Sequence, residues 1–372
     1  MTVNEHGMHG FDQHYSIFPQ NIPNQGILFV NHKLKNRSGH LGHALVQCAN
    51  GDLLAFYPNC SDDNDGHSAI GWMEYKRSCD YGKSWGPSSI LPYSKQLLNS
   101  YGNKSAMSEK AVVTKKGSLL LFQLICDISE NALWEPYWIP VYLTSQDQGL
   151  TWEYAKELGK ERGRVYDALS RDNTIYVLKF CNDAIIHWTG NLPNHQYKLY
   201  TSDDNGQNFT IRSILPFDTN GRGYGTLCFL KNGDLIAYCY NSSDEYHSDY
   251  VISHDMGYTW EEPEQSFFSK KLRNPQMVQY GYGYLMHGRS GNHGEESGHF
   301  ILYYSSDGIR WDDGRYLCRC SAGYGAYSNN LVVEIPTSHS RRLLIHSSHA
   351  YEKNKTNILS WWIDMILTGD ES

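Results

Sequence analysis

Short apolar runs, each introduced by a polar turn that usually carries glycine, follow one another along most of this chain. Asn50-Gly51-Asp52 leads into Leu53-Leu54-Ala55-Phe56, Lys116-Gly117-Ser118 into Leu119-Leu120-Leu121-Phe122, and Asn232-Gly233-Asp234 into Leu235-Ile236-Ala237-Tyr238. A glycine turn followed by an apolar run of strand length predicts a β-hairpin. Weaker versions occur at Asp172-Asn173, at Gly281-Tyr282-Gly283 and in 338–347, where Arg341-Arg342 precede Leu343-Leu344-Ile345. A second phrase alternates with the first. It reads S-x-D-x-G-x-S/T-W at Ser78–Trp85, Ser145–Trp152 and Ser253–Trp260. Looser copies stand at Ser202–Phe209 and, one residue short, at Ser305–Trp311. Asp and Ser side chains close tight turns onto nearby backbone, and Gly supplies a positive φ. Each phrase therefore predicts a turn between two strands, with its aromatic re-entering the sheet. These phrases read as folding units rather than catalytic residues.

Together the two turns define a unit of about four strands that recurs at a regular period. The units fall near 40–95, 105–158, 160–214, 220–266, 272–318 and 322–367. Six units in a closed ring remove the exposed sheet edges that invite aggregation. The expected fold is all-β: a six-bladed β-propeller of four-stranded antiparallel blades, with 1–372 as a single domain. The sixth unit lacks the Asp phrase. The apolar stretch 26–33 is placed to pair with that unit and close the ring.

The net charge of −8 comes without any basic block, so nucleic acid is not an expected partner. No apolar run has the length of a membrane helix, and Met1–Gln20 holds no signal-peptide core. Nine cysteines without a C-x-x-C pair suit free thiols in a reducing compartment, so the expected location is cytoplasmic. No Cys/His spacing suits zinc, and there is neither a phosphate-binding glycine loop nor a G-x-S-x-G elbow. Neither metal nor cofactor is expected. The 28 tyrosines suit strands and equally a sugar-binding cleft.

The Asp phrases at blade spacing resemble the Asp boxes, or BNR repeats, of the sialidase (neuraminidase) superfamily, and the resemblance covers nearly the whole chain. It implies a propeller whose active site lies away from the boxes. In that family three arginines clamp the substrate carboxylate, a Tyr with a Glu partner is the nucleophile, and an Asp is the acid/base. By spacing, the arginine positions fall here on Leu41, on Tyr240 and near His299, and the Glu near Tyr224. The usual clamp is therefore absent from its usual place, and this chain is not expected to be an ordinary sialidase. Gly325-Ala326-Tyr327-Ser328, with Ala350-Tyr351-Glu352 further on, matches the family's nucleophile strand, which makes Tyr327 the candidate nucleophile. Ser61–His67 matches the acid/base loop, with Asp65 its closest carboxylate and His67 its closest titratable base. A loop with three Asp can equally be solvated or bind a cation.

Other candidates come from the residues themselves. His43 sits on a predicted inner strand between two small residues, as an acid or base near neutral pH or as a hydrogen-bonded core histidine. Arg273 and Arg289 open and close the first hairpin of the fifth unit, where they can read an acidic sugar or pair with carboxylates. Asp244 and Glu245, in a polar loop of the fourth unit, are candidates to replace the missing Glu. Trp134 and Asp167 are further candidates for sugar contact. The expected activity is a sialidase-like exo-glycosidase acting on the terminal, acidic sugar of an oligosaccharide. A lyase acting on uronate sugars, built from His43, His67, Tyr240 and Arg273, is the alternative. A non-catalytic glycan-binding propeller is the third reading. The oligomeric state is left open.

Overall fold

The computed structural model describes residues 15–16, 26–61, 70–127, 137–181, 195–291, 294, 296–320, 322–323, 325–364 and 366–367. They form a six-bladed β-propeller of four-stranded antiparallel blades. The innermost strands are Ala44–Gln47, Lys104–Val113, Gly163–Arg171, Arg222–Phe229, Arg273–Tyr280 and Ser328–Ile335. They neighbour one another in that order around the axis, and the sixth returns to the first. In blades 1 to 5 the strands run outward in chain order. In blade 6 the outermost strand is Ile27–Val30, paired with Lys355–Asp364. A two-residue pairing of Tyr15–Ser16 with Ile366–Leu367 lies outside the blades. No helix among the described residues is long and apolar enough to cross a membrane.

The Asp turns form as their chemistry dictates. In Ser145–Trp152, Asp147 Oδ1 accepts from the Thr151 amide (2.8 Å) and Ser145 Oγ (2.8 Å), while Oδ2 accepts from Thr151 Oγ1 (2.5 Å). The Thr151 hydrogen bonds hold that carboxyl down to about 2. Asp80, Asp204 and Asp255 repeat the pattern. Glycine is not alone in the left-handed region. The residue before it also has positive φ in four turns, at Tyr81, Gln148, Asn205 and Met256.

The turns do more than reverse the chain: each is the joint to the preceding blade. A Cβ on Gly149 would overlap Leu54 of blade 1, on Gly206 Leu120 of blade 2, and on Gly257 Leu199 of blade 3. A Cβ on Gly82 would overlap Trp362 of blade 6, so the same contact closes the ring. The turn aromatics cross the same seams. Trp152 meets Phe56 (5.8 Å between ring centres), Phe209 meets Phe122 (5.8 Å), and Trp85 meets Phe29 of the closing strand (5.1 Å).

Two features depart from the sequence reading. Pro92–Tyr101 is a helix between blades 1 and 2, started by Pro at its first turn and stopped by Gly102 in the left-handed conformation. His32–Lys35 forms a short 3-10 turn after the closing strand.

Both kinds of turn share one face. Arg77 bonds Asp52 (2.7 Å), Gln148 Nε2 donates to the Gly117 carbonyl (3.1 Å), and Asn173 Nδ2 donates to the Asp203 carbonyl (2.9 Å). The inner strands therefore begin at the opposite face.

Two outcomes test this account. Gly206→Ala places a methyl against Leu120 at positive φ and lowers stability by about 1–3 kcal/mol in chemical denaturation. Gly86→Ala, whose Cβ would meet nothing closer than 3.4 Å, leaves it nearly unchanged. The seam between blades 6 and 1 also buries His32, His43 and His346, with Lys76, Arg37 and Lys35 close by. Burial holds His32 and His43 down to about 4 and His346 well below its ordinary value. The unfolded chain then binds protons that the folded chain refuses. Stability contributed by these groups is complete above about pH 6.5 and falls toward pH 4, by on the order of 2 kcal/mol at pH 5 for each of His32 and His43. Urea unfolding at pH 7 and pH 5 should show this loss, and His346→Phe should reduce it.

Candidate active site

At the face opposite the Asp turns, four inner strands bulge at the same level. Their register against the second strand shifts between Ser108 and Lys110, Val165 and Asp167, Gly223 and Gly225, and Arg273 and Gln276. The residues passed over are Glu109, Tyr166, Tyr224 and Asn274-Pro275. An extra residue bends a strand and re-aims its side chain. Glu109, Tyr166, Tyr224 and Asn274 all line one small cavity on the propeller axis, of about 30 Å³. Blade 1 adds Gly42 and His43 to its wall, and blade 6 adds Tyr327, Ser328 and Asn329. Every blade thus contributes to one site, by sequence positions far apart.

The Tyr224 and Tyr327 hydroxyls lie 3.2 Å apart, and either can donate. The His40 ring meets Tyr327 edge-on at 4.7 Å, and Tyr240 stacks on Tyr224 at 5.9 Å. Three buried guanidinium groups face these phenols. Arg164 lies 4.7 Å from the Tyr224 ring, Arg273 5.0 Å from Tyr240, and Arg289 5.6 Å from Tyr327. Arg164 donates through Nε (3.0 Å) and Nη2 (2.8 Å) to Glu109 Oε2, and through Nη1 to Tyr137 Oη (3.2 Å). Arg273 donates to Tyr240 Oη (2.7 Å), and its Nε stands 3.2 Å from Glu245. A buried cation of this kind is tolerable because each is met by a carboxylate or a phenol.

Beneath this layer a polar belt crosses the axis. Lys110 Nζ reaches Asp167 (3.0 Å) and Asn329 Oδ1 (2.7 Å). Asp167 also accepts from Thr226 Oγ1 (2.6 Å) and the Leu227 amide (2.8 Å). Thr226 in turn accepts from the Met277 amide (2.9 Å), and Asn329 Nδ2 donates to the Glu109 carbonyl (2.8 Å). Asp167, expected to touch sugar, is placed inside this belt.

The other candidates distribute as follows. Tyr327, Tyr224 and His43 meet at the axial cavity, with Tyr240, Arg273 and Arg289 around it. Glu245 pairs with Arg273 and Lys271, while Asp244 takes His247 Nδ1 at 3.0 Å. His299 accepts the Cys320 amide (3.1 Å) and packs on Tyr316 at the outer part of blade 5, and Leu41 is core. Burial lowers the His43 ring to about 4, and its Nε2 lies 3.3 Å from the His40 carbonyl, so it is neutral near pH 7. Asp65, His67 and Trp134 lie outside the described residues. Sequence reasoning missed Arg164 and Glu109. One signal was available: Arg164, Arg222 and Arg273 stand at the start of the inner strands of three successive blades.

No protein-family model matches the chain. It is 27% identical over 231 residues to a sialidase of Clostridium perfringens, an alignment that covers 57% of this chain and 57% of that protein. The chain thus spans little more than half the length of that curated relative. Its structure matches a protein of unknown function from Dyadobacter fermentans with a TM-score of 0.67 at 14% identity, over 92% of this chain and 98% of that one. It matches the NanB sialidase from Streptococcus pneumoniae with a TM-score of 0.64 at 13% identity, over 93% and 71%. The resemblance to sialidases read from the Asp turns is supported by sequence and by fold.

The buried ion pair gives a further expected outcome. Glu109→Gln leaves the Arg164 guanidinium without its counter-charge and lowers stability by about 3 kcal/mol, read by chemical denaturation. The double variant Glu109→Leu with Arg164→Met recovers most of that loss while removing the cation beside the Tyr224 ring.

Proposed function

We propose that this chain is a carbohydrate-active enzyme: a sialidase-like exo-glycosidase that removes a terminal acidic sugar from an oligosaccharide, by chemistry altered from that of an ordinary sialidase. The observation that carries the reading is the Tyr224–Tyr327 hydroxyl pair at the axis, ringed by Arg164, Arg273 and Arg289. In it Tyr327 is the nucleophile. Tyr327 gives up its proton to solvent water, relayed through the Tyr224 hydroxyl, and the phenolate Oη then bonds the anomeric carbon as the glycosidic bond breaks. Asp65 or His67 protonates the leaving oxygen, and water then releases the sugar from Tyr327. Guanidinium groups beside the phenols favour the phenolate that the first step requires. Arg273 and Arg289 meet the acidic group of the sugar, the planar recognition for which arginine is suited. A neutral His43 serves as an acceptor in the site rather than as its acid.

A second reading rests on the same pair. A phenol flanked by cations is also suited to remove the proton beside a uronate carboxylate, which would make the reaction an elimination.

One experiment separates the two. Sialylated, uronate-capped and neutral oligosaccharides are incubated with the protein in heavy-oxygen water, and products are weighed by mass spectrometry. One heavy oxygen in the released sugar establishes hydrolysis. A product lighter by one water, absorbing in the near ultraviolet, establishes elimination. On the substrate that is turned over, Tyr327→Phe should lower kcat by at least 1,000-fold. Tyr224→Phe should lower it 10- to 100-fold with little change in KM.

A further inference from the structure

The axial cavity holds buried polar atoms to which the catalytic reading assigns no bonding partner. Asn274 is only 4% exposed, and among the described residues neither its Oδ1 nor its Nδ2 has a hydrogen-bond partner. Gln276 Oε1 and His43 Nδ1 are likewise buried and unpartnered. All three side chains line the same cavity. Buried polar atoms are almost always paired, because an unpaired one destabilises the fold. Three around one cavity need a reason.

The backbone is bent to make the arrangement. Asn274 has a φ of +52° and directly precedes Pro275, where an extended conformation is the norm. It sits on the bulge that shifts the blade 5 register. Strain of this kind persists where the surrounding structure enforces it, and it concentrates at ligand sites.

The atoms also have defined polarity. Gln276 Nε2 donates to the Pro275 carbonyl (3.0 Å), which turns Oε1 into the cavity as an acceptor. His43 Nε2 faces the His40 carbonyl, which can only accept, so Nε2 carries the hydrogen and Nδ1 is an acceptor. Asn274 offers one donor and one acceptor group. A cavity of about 30 Å³ admits a single hydroxyl or hydroxymethyl group and not a sugar ring. It adjoins Tyr327, so the group that enters belongs to the sugar at the nucleophile.

We propose that the axial cavity is a subsite for one hydroxyl-bearing substituent of the terminal sugar, held by Asn274, Gln276 and His43. This rests on the reading above and adds to it the determinant of which sugar is accepted.

The test uses the full chain, with Asn274→Gly and Asn274→Asp. Glycine keeps the positive φ and removes the unpaired amide. Aspartate keeps the shape, replaces the amide donor by an acceptor oxygen and adds a negative charge. Thermal melting is measured alongside calorimetric titration with free N-acetylneuraminic acid, D-glucuronic acid, D-galacturonic acid and D-galactose. The wild type is expected to bind at least one of these. Asn274→Gly should melt at a higher temperature and bind that sugar at least tenfold more weakly, and Asn274→Asp should also bind it at least tenfold more weakly. Binding within twofold of wild type in both variants, a lower melting temperature for Asn274→Gly, or no binding of any probe to the wild type overturns the subsite. None of those results touches the hydrolase reading, which the heavy-oxygen experiment decides. Sugar binding that depends on Asn274 without cleavage of any glycoside would keep the subsite and remove the hydrolase.

Discussion

Four of the six blades are fixed to the one before them at a glycine. The Asp turn projects that glycine into the preceding sheet, where any larger residue would collide with Leu54, Leu120, Leu199 or Trp362. The carboxylate explains why the turn can hold this position. Two oxygens accept four hydrogen bonds within the turn itself, so the loop is held by its own residues. Blade spacing therefore follows from local turn chemistry, and the diameter of the ring follows from blade spacing. The residues that seem to be mere punctuation set the geometry of the axis.

That division of labour leaves the opposite face free to carry strain. The bulges at Glu109, Tyr166, Tyr224 and Asn274 interrupt the ladder between first and second strands in four blades. A lone hairpin so interrupted would slip in register. Here the belt of Lys110, Asp167, Thr226 and Asn329 ties five blades together one layer below. The bulged layer is thus supported from beneath by charge and from the far face by packing. Three buried guanidinium groups can be held there because their partners are held there as well.

The repeat was legible because turn chemistry is local. Gly, Asp and the aromatic identify a turn without knowledge of anything else, and six such units leave one reasonable architecture. The spacing also picked out Tyr224, Tyr240 and Tyr327, which lie together in the structure, and His299 and Leu41, which lie apart from them. What the sequence hid depends on partners elsewhere in the chain. Asp167 looks like any acidic residue opening a strand, and only Lys110 and Thr226 from neighbouring blades show it to be structural. Glu109 and Arg164 are 55 residues apart, and each alone reads as a surface charge. The helix Pro92–Tyr101 escaped because its polar sequence lacks an acidic first turn and a side-chain cap, leaving only Pro92 and Gly102 as signals. The inter-blade role of the turn glycine was hidden for the same reason as Asp167: its constraint lies in the blade before.

The site also shows how a charge removed from one position can be supplied from another. At the place where a sialidase-like pattern puts a carboxylate beside the nucleophile stands Tyr224, a phenol that is a poor proton acceptor near neutral pH. Beside that phenol lies Arg164, which is paired with Glu109, and all three line the axial cavity. The anion is thus neutralised by a cation that stands beside the phenol pair. In the proposed reading this changes what activates Tyr327. A neighbouring carboxylate would accept the proton, whereas a neighbouring guanidinium lowers the free energy of the phenolate that remains. The first arrangement depends on a base and the second on the electrostatic field of a buried ion pair. Such a field acts most strongly where water is excluded and the dipoles are fixed before reaction. That requirement suits a phenol placed by a strand bulge beside a buried ion pair, as Tyr224 is.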